Sequence, residues 1–309
     1  MGTRARLLVT GHHGFVGQAL QHWLPQSQWA AQYQLVLPTG RPDVRDAHAM
    51  SQLVQHTSPD AVLHLAAQSF VPAAFADPAN TLQVNLGGTL NLLQALDKHG
   101  FKGRFLFVSS ADVYGAVPEH ELPVDETRLP MPRNPYAVSK AAAELLCRQW
   151  HFAHGLDACI ARPFNHTGAG QDPRFVLSGF AQRIAQMSSG KTKREFVTGN
   201  LDVTRDFTDV RDVLDAYFFL LEDGVSGETY NVCSGHERRI RDLLDTMLRM
   251  AGVTAEVRTD SALLRPNEQT RMQGSYGKLY QHTGWKPQCS LEDTLATLIN
   301  WWRDKEAKS

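Results

Sequence analysis

Cysteine is scarce in this chain. Four occur in 309 residues, at 147, 159, 233 and 289, and none has a neighbour at paired spacing. That excludes a disulfide scaffold and a zinc-finger framework, and it predicts reduced, packed thiols in a cytoplasmic protein. Net charge is equally thin, with 31 Lys plus Arg against 32 Asp plus Glu. No overall field recruits nucleic acid or an anionic membrane, so an anion site must be a local cluster. Long apolar runs are missing as well: the densest, YFFLL at 217–221, is far too short to cross a membrane. The 13 histidines are scattered, and adjacent His12 and His13 are badly spaced to ligate one ion, so no metal site is expected. No leader is expected either, because MGTRARLLVTG leads directly into a strand. The sequon at 165–167 is then a chance match.

What is present is an ordinary globular composition, 42% hydrophobic and 20% charged, without repeats or low-complexity segments. In the first half, short apolar runs alternate with longer amphipathic ones. RLLVT at 6–10, YQLVLPTG at 33–40, DAVLHLAA at 60–67, GRFLFVSS at 103–110 and LDACIARPFN at 156–165 read as strands. Residues 80–100 and 136–153 read as helices between them. Strands and helices of these lengths predict an α/β protein, a Rossmann-type doubly wound parallel sheet covered on both faces. After Asn165 the rhythm breaks. Residues 204–223 read as a turn followed by a helix, and 227–234 as a strand returning to the sheet. The expected division is a dinucleotide-binding domain of 1–165 with 204–234, and a smaller mixed α/β substrate-binding domain of 166–203 with 235–309. The smaller part should close over the carboxyl ends of the strands, where ligands bind in such sheets.

TGHHGFVG at 10–17 places Gly11, Gly14 and Gly17 between a strand and a helix. Gly11 permits a tight turn, and Gly14 lets the backbone approach a pyrophosphate drawn to the helix amino terminus. The second strand carries no acid at its end for a ribose hydroxyl, but Arg41 follows it. An arginine there suits the extra phosphate of NADPH, which is the preferred cofactor, with NADH possible. Asp43 is a candidate for the adenine amino group.

NPYAVSKAAAE at 134–144 puts Tyr136 and Lys140 one helical turn apart. An ammonium about 4 Å from a phenol favours phenolate by about 4 kcal/mol at an effective dielectric of 20. That would draw a tyrosine from about 10 to about 7, a value suited to carbonyl–alcohol exchange. Ser110, in VSSADVYG, falls at the end of the fourth strand, where its hydroxyl can hold a carbonyl oxygen.

Taken together, TGHHGFVG, HLAAQS at 64–69, VNLGGTLNLLQA at 84–95, VSSADVYG and NPYAVSKAAAE resemble the extended short-chain dehydrogenases/reductases acting on nucleotide sugars. The resemblance covers essentially the whole chain. It implies Ser110, Tyr136 and Lys140 as the catalytic set, with Lys140 also binding the nicotinamide ribose. It implies cofactor contacts from Phe15, Val16, Val44, Leu65, Ala66, Ala67 and His166, and a homodimer built on the helices at 80–99 and 136–153. GNLDVTRDFTDVRDV at 199–213 and RPNEQTRM at 265–272 resemble segments of enzymes acting on GDP-mannose derivatives. By that likeness Arg205 and Arg265 clamp the diphosphate of a GDP-sugar, Glu268 accepts from its ribose and Asn165 touches the sugar end. Dehydratases of the family carry Thr, then Asp or Ser, then Glu where this chain has Ser110, Ala111 and Asp112, so reduction of a 4-keto sugar is favoured, with a GDP-mannose 4,6-dehydratase or another nucleotide-sugar epimerase or dehydratase as the alternative. Asp112 is kept as a substrate contact. A cofactor-binding sensor without turnover is the remote alternative.

Overall fold

The apolar triplet Leu7-Leu8-Val9 lies at the centre of β1 (Ala5–Thr10) and is wholly buried. The computed structural model describes residues 4–263 and 269–308. The other strands are β2 (Tyr33–Val36), β3 (Ala61–His64), β4 (Arg104–Val108), β5 (Asp157–Pro163), β6 (Asn165–Thr167), β7 (Glu195–Thr198), β8 (Thr204–Asp209), β9 (Thr229–Val232), β10 (Glu237–Arg239) and β11 (Glu256–Thr259). Six form one parallel sheet in the order β2-β1-β3-β4-β5-β9. Side chains alternate between its faces. Leu7, Val9, Leu63 and Leu106 pack under the helices at 15–23 and 210–223. Leu8, Val62, Phe105 and Phe107 pack under those at 47–57, 88–98 and 135–154. The order reverses at β1, so a crevice opens beyond the carboxyl ends of β1 and β3.

Pro135–His154 is the helix of the Tyr-Lys pair. Asn134 caps it by accepting from the Ala137 N–H at 2.8 Å, and Gly155, at φ +66°, ends it. Three expected elements differ in detail. The second strand stops at Val36, well before Gly40. The helix expected at 80–100 is helical from Pro78 to Lys98, but a π-helical turn at Gln83–Gly87 interrupts its α geometry, and Asn85 within that turn is buried. Residues 204–209 are a strand rather than a turn. Here β8 pairs with β6 in parallel and with β10 antiparallel. Its Asp206 looks like a turn residue in the sequence. Instead it is fully buried and accepts from the Ser234 N–H and hydroxyl, the Gly235 N–H and the Gly274 N–H at 2.6–3.2 Å.

A second core gathers Leu177, Ile184, Phe207, Leu244, Leu298 and Trp302 from the helices at 176–188, 240–251 and 291–307 and from β8. Within the stretch 235–309, Leu279 and Trp285 pack instead in the core of the large sheet. Among the described residues no helix is long and apolar enough to cross a membrane. Nor do any three or more His, Cys, Asp or Glu among them group so as to hold a metal ion.

Candidate active site

The glycine loop joins β1 to the helix Phe15–Trp23. Gly11 has φ +72°, and a Cβ there would lie 2.6 Å from the Ala66 backbone nitrogen. A Cβ on Gly17 would lie 2.5 Å from the His12 Cα. Gly14 opens the helix without a side chain to cap it, so its first N–H groups face outward. The neighbouring crossing is tight: the Leu65 N–H donates to the Thr10 carbonyl at 3.2 Å, and the Ala66 N–H to Thr10 Oγ1 at 3.3 Å. Gly11, Gly14, Leu65 and Ala66 thus form a close-walled cradle under an open helix amino terminus, which fits a dinucleotide pyrophosphate, and Ala67 follows them half-buried.

The remaining cofactor candidates fall around it unequally. The ring of Phe15 stacks on His166 at 6.2 Å and 9°. His166 also bonds through Nδ1 to the Phe164 carbonyl at 3.0 Å, and burial lowers its pKa. Arg41 is exposed, and its charge helps to lower the pKa of buried His12, behind burial and His13. Asp43 is held by Arg45, whose Nε and Nη2 reach both carboxylate oxygens at 2.6–3.0 Å. The Val16 and Val44 side chains go elsewhere: Val16 packs against the core and Val44 is buried in it, against Gly88.

Ser110, Tyr136 and Lys140 meet at the carboxyl end of β4. Tyr136 is 8% exposed, and the Ser110 side chain bears on its ionisation. Lys140 is 3% exposed, donates from Nζ to the Val108 carbonyl at 2.7 Å, and lies 4.9 Å from the centre of the Phe107 ring. The electrostatics differ from the sequence expectation. Burial raises the Tyr136 pKa, the Asp112 carboxylate raises it further, and only the Ser110 bond opposes them. Lys140 is tied to a backbone carbonyl, and its ammonium does not draw the phenol down toward neutrality. Tyr136 is therefore a protonated donor here.

Burial pushes the Lys140 amine down to about 8, against the favourable fields of Cys147 and Glu144. A sign follows for each measurement. Between about 8 and 10.5 the unfolded chain keeps a proton that folded Lys140 has released, so this group adds stability as pH rises through that window. Activity should move the opposite way: kcat/KM, which reports the free enzyme, should fall above about pH 8. A profile flat to pH 10, roughly the ordinary lysine range, would remove Lys140 from the machinery.

Several supporting residues were not singled out from the sequence. Asn85 donates from Nδ2 to the Gln68 carbonyl and to Ser139 Oγ, at 3.0 and 2.8 Å, and Ser139 Oγ donates to the Tyr136 carbonyl at 2.6 Å. Buried His64 lies 2.6 Å from Thr10 Oγ1 and 3.1 Å from Thr89 Oγ1, and burial and Lys140 push its pKa down to about 3. It is a neutral strut under the glycine loop. Both sit in quoted motifs, HLAAQS and VNLGG, where a polar residue among buried apolar ones was the available signal.

On the substrate side, Asp112 is exposed on the short turn that Ser110 caps by accepting its N–H at 3.2 Å. Asn165 stands opposite Phe207 in register, which puts it on the face of the three-stranded sheet that carries Arg205. Arg205 donates to the Thr204 carbonyl at 2.7 Å. Arg265 and Glu268 lie outside the described residues.

The family profile described as GDP-mannose 4,6 dehydratase matches residues 27–298. The chain is 48% identical over 303 residues to GDP-6-deoxy-D-mannose reductase of Pseudomonas aeruginosa, covering 97% of this chain and 98% of that protein. It is 28% identical to a dTDP-glucose 4,6-dehydratase of Escherichia coli, over 96% of this chain and 93% of that one. Among solved structures, RMD from Pseudomonas aeruginosa complexed with NADPH matches with a TM-score of 0.93 at 46% identity, over 97% of this chain and 99% of the other. UDP-glucose 4-epimerase of Thermus thermophilus in complex with NAD matches with a TM-score of 0.83 at 30% identity, over 96% and 99% of the two chains.

Proposed function

The chain belongs to the GDP-mannose 4,6 dehydratase family, and on that premise we propose that it is an NADPH-dependent reductase. It converts the 4-keto group of GDP-4-keto-6-deoxy-D-mannose to the alcohol, giving GDP-D-rhamnose. The observation that carries this reading is the near full-length likeness to the Pseudomonas reductase, well above the likeness to any dehydratase described above. The site supports it. Elimination across carbons 5 and 6 needs a base and an acid, and the turn after Ser110 offers one carboxylate, Asp112, beside the inert Ala111.

NADPH, when bound, supplies hydride to the carbonyl carbon. The chain's own residues do the rest. Gly11, Gly14 and the open amino terminus of the following helix hold the pyrophosphate, and Leu65, Ala66 and Ala67 form the floor beside it. Arg41 takes the 2′-phosphate. Ser110 fixes the ketone oxygen, and Tyr136, kept protonated by burial and by Asp112, delivers its proton to that oxygen as the alcohol forms. Lys140 holds the nicotinamide ribose. Asn165 and Arg205 line the path of the diphosphate, and residues 1–165 with 204–234 hold the cofactor while the remainder holds the sugar nucleotide. The test is purified enzyme with the keto sugar and NADPH. Loss of the reduced-nicotinamide absorbance and recovery of GDP-D-rhamnose are expected; conversion of GDP-mannose to a keto sugar without added reductant would reverse the assignment.

The working unit in this reading is a cytoplasmic homodimer. Val138, Leu145 and Phe152 recur every seven residues on one helix and are 43%, 67% and 83% exposed. Such a stripe suits pairing with a second copy. The double variant L145E/F152E should sediment as a monomer; an unchanged dimer would put the interface elsewhere.

A further inference from the structure

We propose that Gln269 is a positioning residue for the reduction: it ties the strands beside Arg205 to the turn that carries Ser110, so that binding at the nucleotide end acts on the reacting end. The inference rests on the reductase reading above and gives Gln269 itself no contact with substrate or cofactor. Residues 269–275 run as a strap between the three-stranded sheet and the loop that follows the Ser110 turn. On the sheet side they hold β8 at both neighbours of Arg205. The Thr204 N–H donates to the Thr270 carbonyl at 2.8 Å, and the Gly274 N–H donates to the Asp206 carboxylate at 3.2 Å. Arg271 adds β10, donating from Nε to Glu237 at 3.2 Å. On the loop side Gln269 makes a reciprocal pair with Val117. Its Oε1 accepts from the Val117 N–H at 3.2 Å, and its Nε2 donates to the Val117 carbonyl at 2.8 Å. Arg271 reaches Glu119 at 3.3 Å, and Val124 exchanges backbone hydrogen bonds with Gln273 and Ser275, both at 2.9 Å.

Packing carries these bonds to the site. Ala111 and Tyr114 of the turn, Val117 and Val124 of the loop and Met272 of the strap are buried together in one small apolar cluster. It is distinct from the cores on the two faces of the large sheet and from the second core. Ala111 stands between Ser110 and Asp112, so the turn that presents both is seated on the strap as well as on the end of β4. Val117 is 3% exposed, and the Gln269 amide satisfies its N–H and its carbonyl at once. Without that amide two buried backbone groups lose their partner, a cost the loop escapes only by shifting toward water. A shift there moves the floor of the Ser110 turn and leaves the glycine loop untouched. The strap is thus a physical link with one anchor beside Arg205 and the other beneath Ser110, which is what coupling between two ends of one substrate requires.

The test divides the substrate into 4-keto-6-deoxy-D-mannose 1-phosphate and GMP, which lack only the bond between them. In the wild type, saturating GMP should raise NADPH-dependent reduction of the sugar phosphate by about tenfold or more, because binding remote from the carbonyl lowers the barrier there. In Q269L, GMP and NADPH should bind within about twofold of the wild type while the activation falls to about twofold or less. Q269E keeps the acceptor for the Val117 N–H and loses the donor, so its activation should lie between the two. Should Q269L not fold, Q269E decides by the same measure. Equal activation in the wild type and the folded variants overturns the role of Gln269 and leaves the reductase reading standing. Weaker GMP binding in Q269L with full activation at saturation also overturns it, by making Gln269 a nucleotide contact. A wild type that reduces the sugar phosphate no faster with GMP overturns the coupling. A wild type that fails to reduce even the intact GDP-4-keto-6-deoxy-D-mannose overturns this proposal and the reductase reading together.

Discussion

Tyr136→Phe is expected to lower kcat for keto-sugar reduction by about 10²- to 10⁴-fold, the range for losing a positioned general acid. The substitution removes one oxygen from a side chain that is 8% exposed, and nothing refills the position from which the proton is delivered. NADPH affinity should stay within about twofold, because a role in proton delivery leaves ground-state cofactor binding nearly untouched. The two quantities must be measured together: single-turnover oxidation of NADPH by the keto sugar, and equilibrium titration of the cofactor. A proportionate loss of both would mark Tyr136 as a binding residue. Unchanged turnover would dismiss it from the reaction. The physical basis differs from the one the sequence implies. A phenol drawn toward neutrality by a lysine would serve oxidation and reduction alike. A phenol kept protonated by burial and a nearby carboxylate favours donation, the direction a reductase needs.

Glu144→Ala should destabilise the fold by about 3–5 kcal/mol, the usual cost of removing one partner of a buried ion pair. Glu144 and Arg162 each have 3% of the side chain exposed, and two nitrogens of Arg162 donate to the carboxylate at 2.6 and 2.9 Å. The guanidinium also lies 4.8 Å from the centre of the Tyr114 ring, and its Nη1 makes no hydrogen bond. Without Glu144 a full positive charge would remain inside with almost no compensation. The midpoint of urea unfolding reads the loss directly. The double variant E144A/R162M should recover much of it, since a matched apolar pair leaves no charge behind. Glu144 lies one turn beyond Lys140 and favours its ammonium. The alkaline limb of kcat/KM should therefore move to lower pH in folded E144A. A stability change under about 1 kcal/mol, well below the usual cost, would mean that water reaches the guanidinium.

Patterns local along the chain were legible before any coordinates. The runs at 6–10 and 103–110 are strands because consecutive apolar residues bury on both faces of a covered sheet. Gly11 and Gly17 must be glycine because a Cβ would meet Ala66 at the first and His12 at the second. Asp206 was not legible. In the sequence it is one acid among turn-forming residues, and its four donors come from Ser234, Gly235 and Gly274, remote along the chain. Asn85 was hidden in the same way, since its partners Gln68 and Ser139 come from different elements.

The amino-acid sequence by itself determined the layered α/β plan, the cradle for a dinucleotide, and the meeting of Ser110, Tyr136 and Lys140 at one sheet edge. These follow from periodicity and from residue types with few alternative uses. Only the tertiary structure decided how those groups ionise and where their charges go. Lys140 reaches the Val108 carbonyl, the Asp112 carboxylate raises the Tyr136 pKa, and His13 crosses to Gly40. Protonation depends on burial and on distances of a few ångströms between segments far apart in sequence, and those distances exist only after the chain has packed.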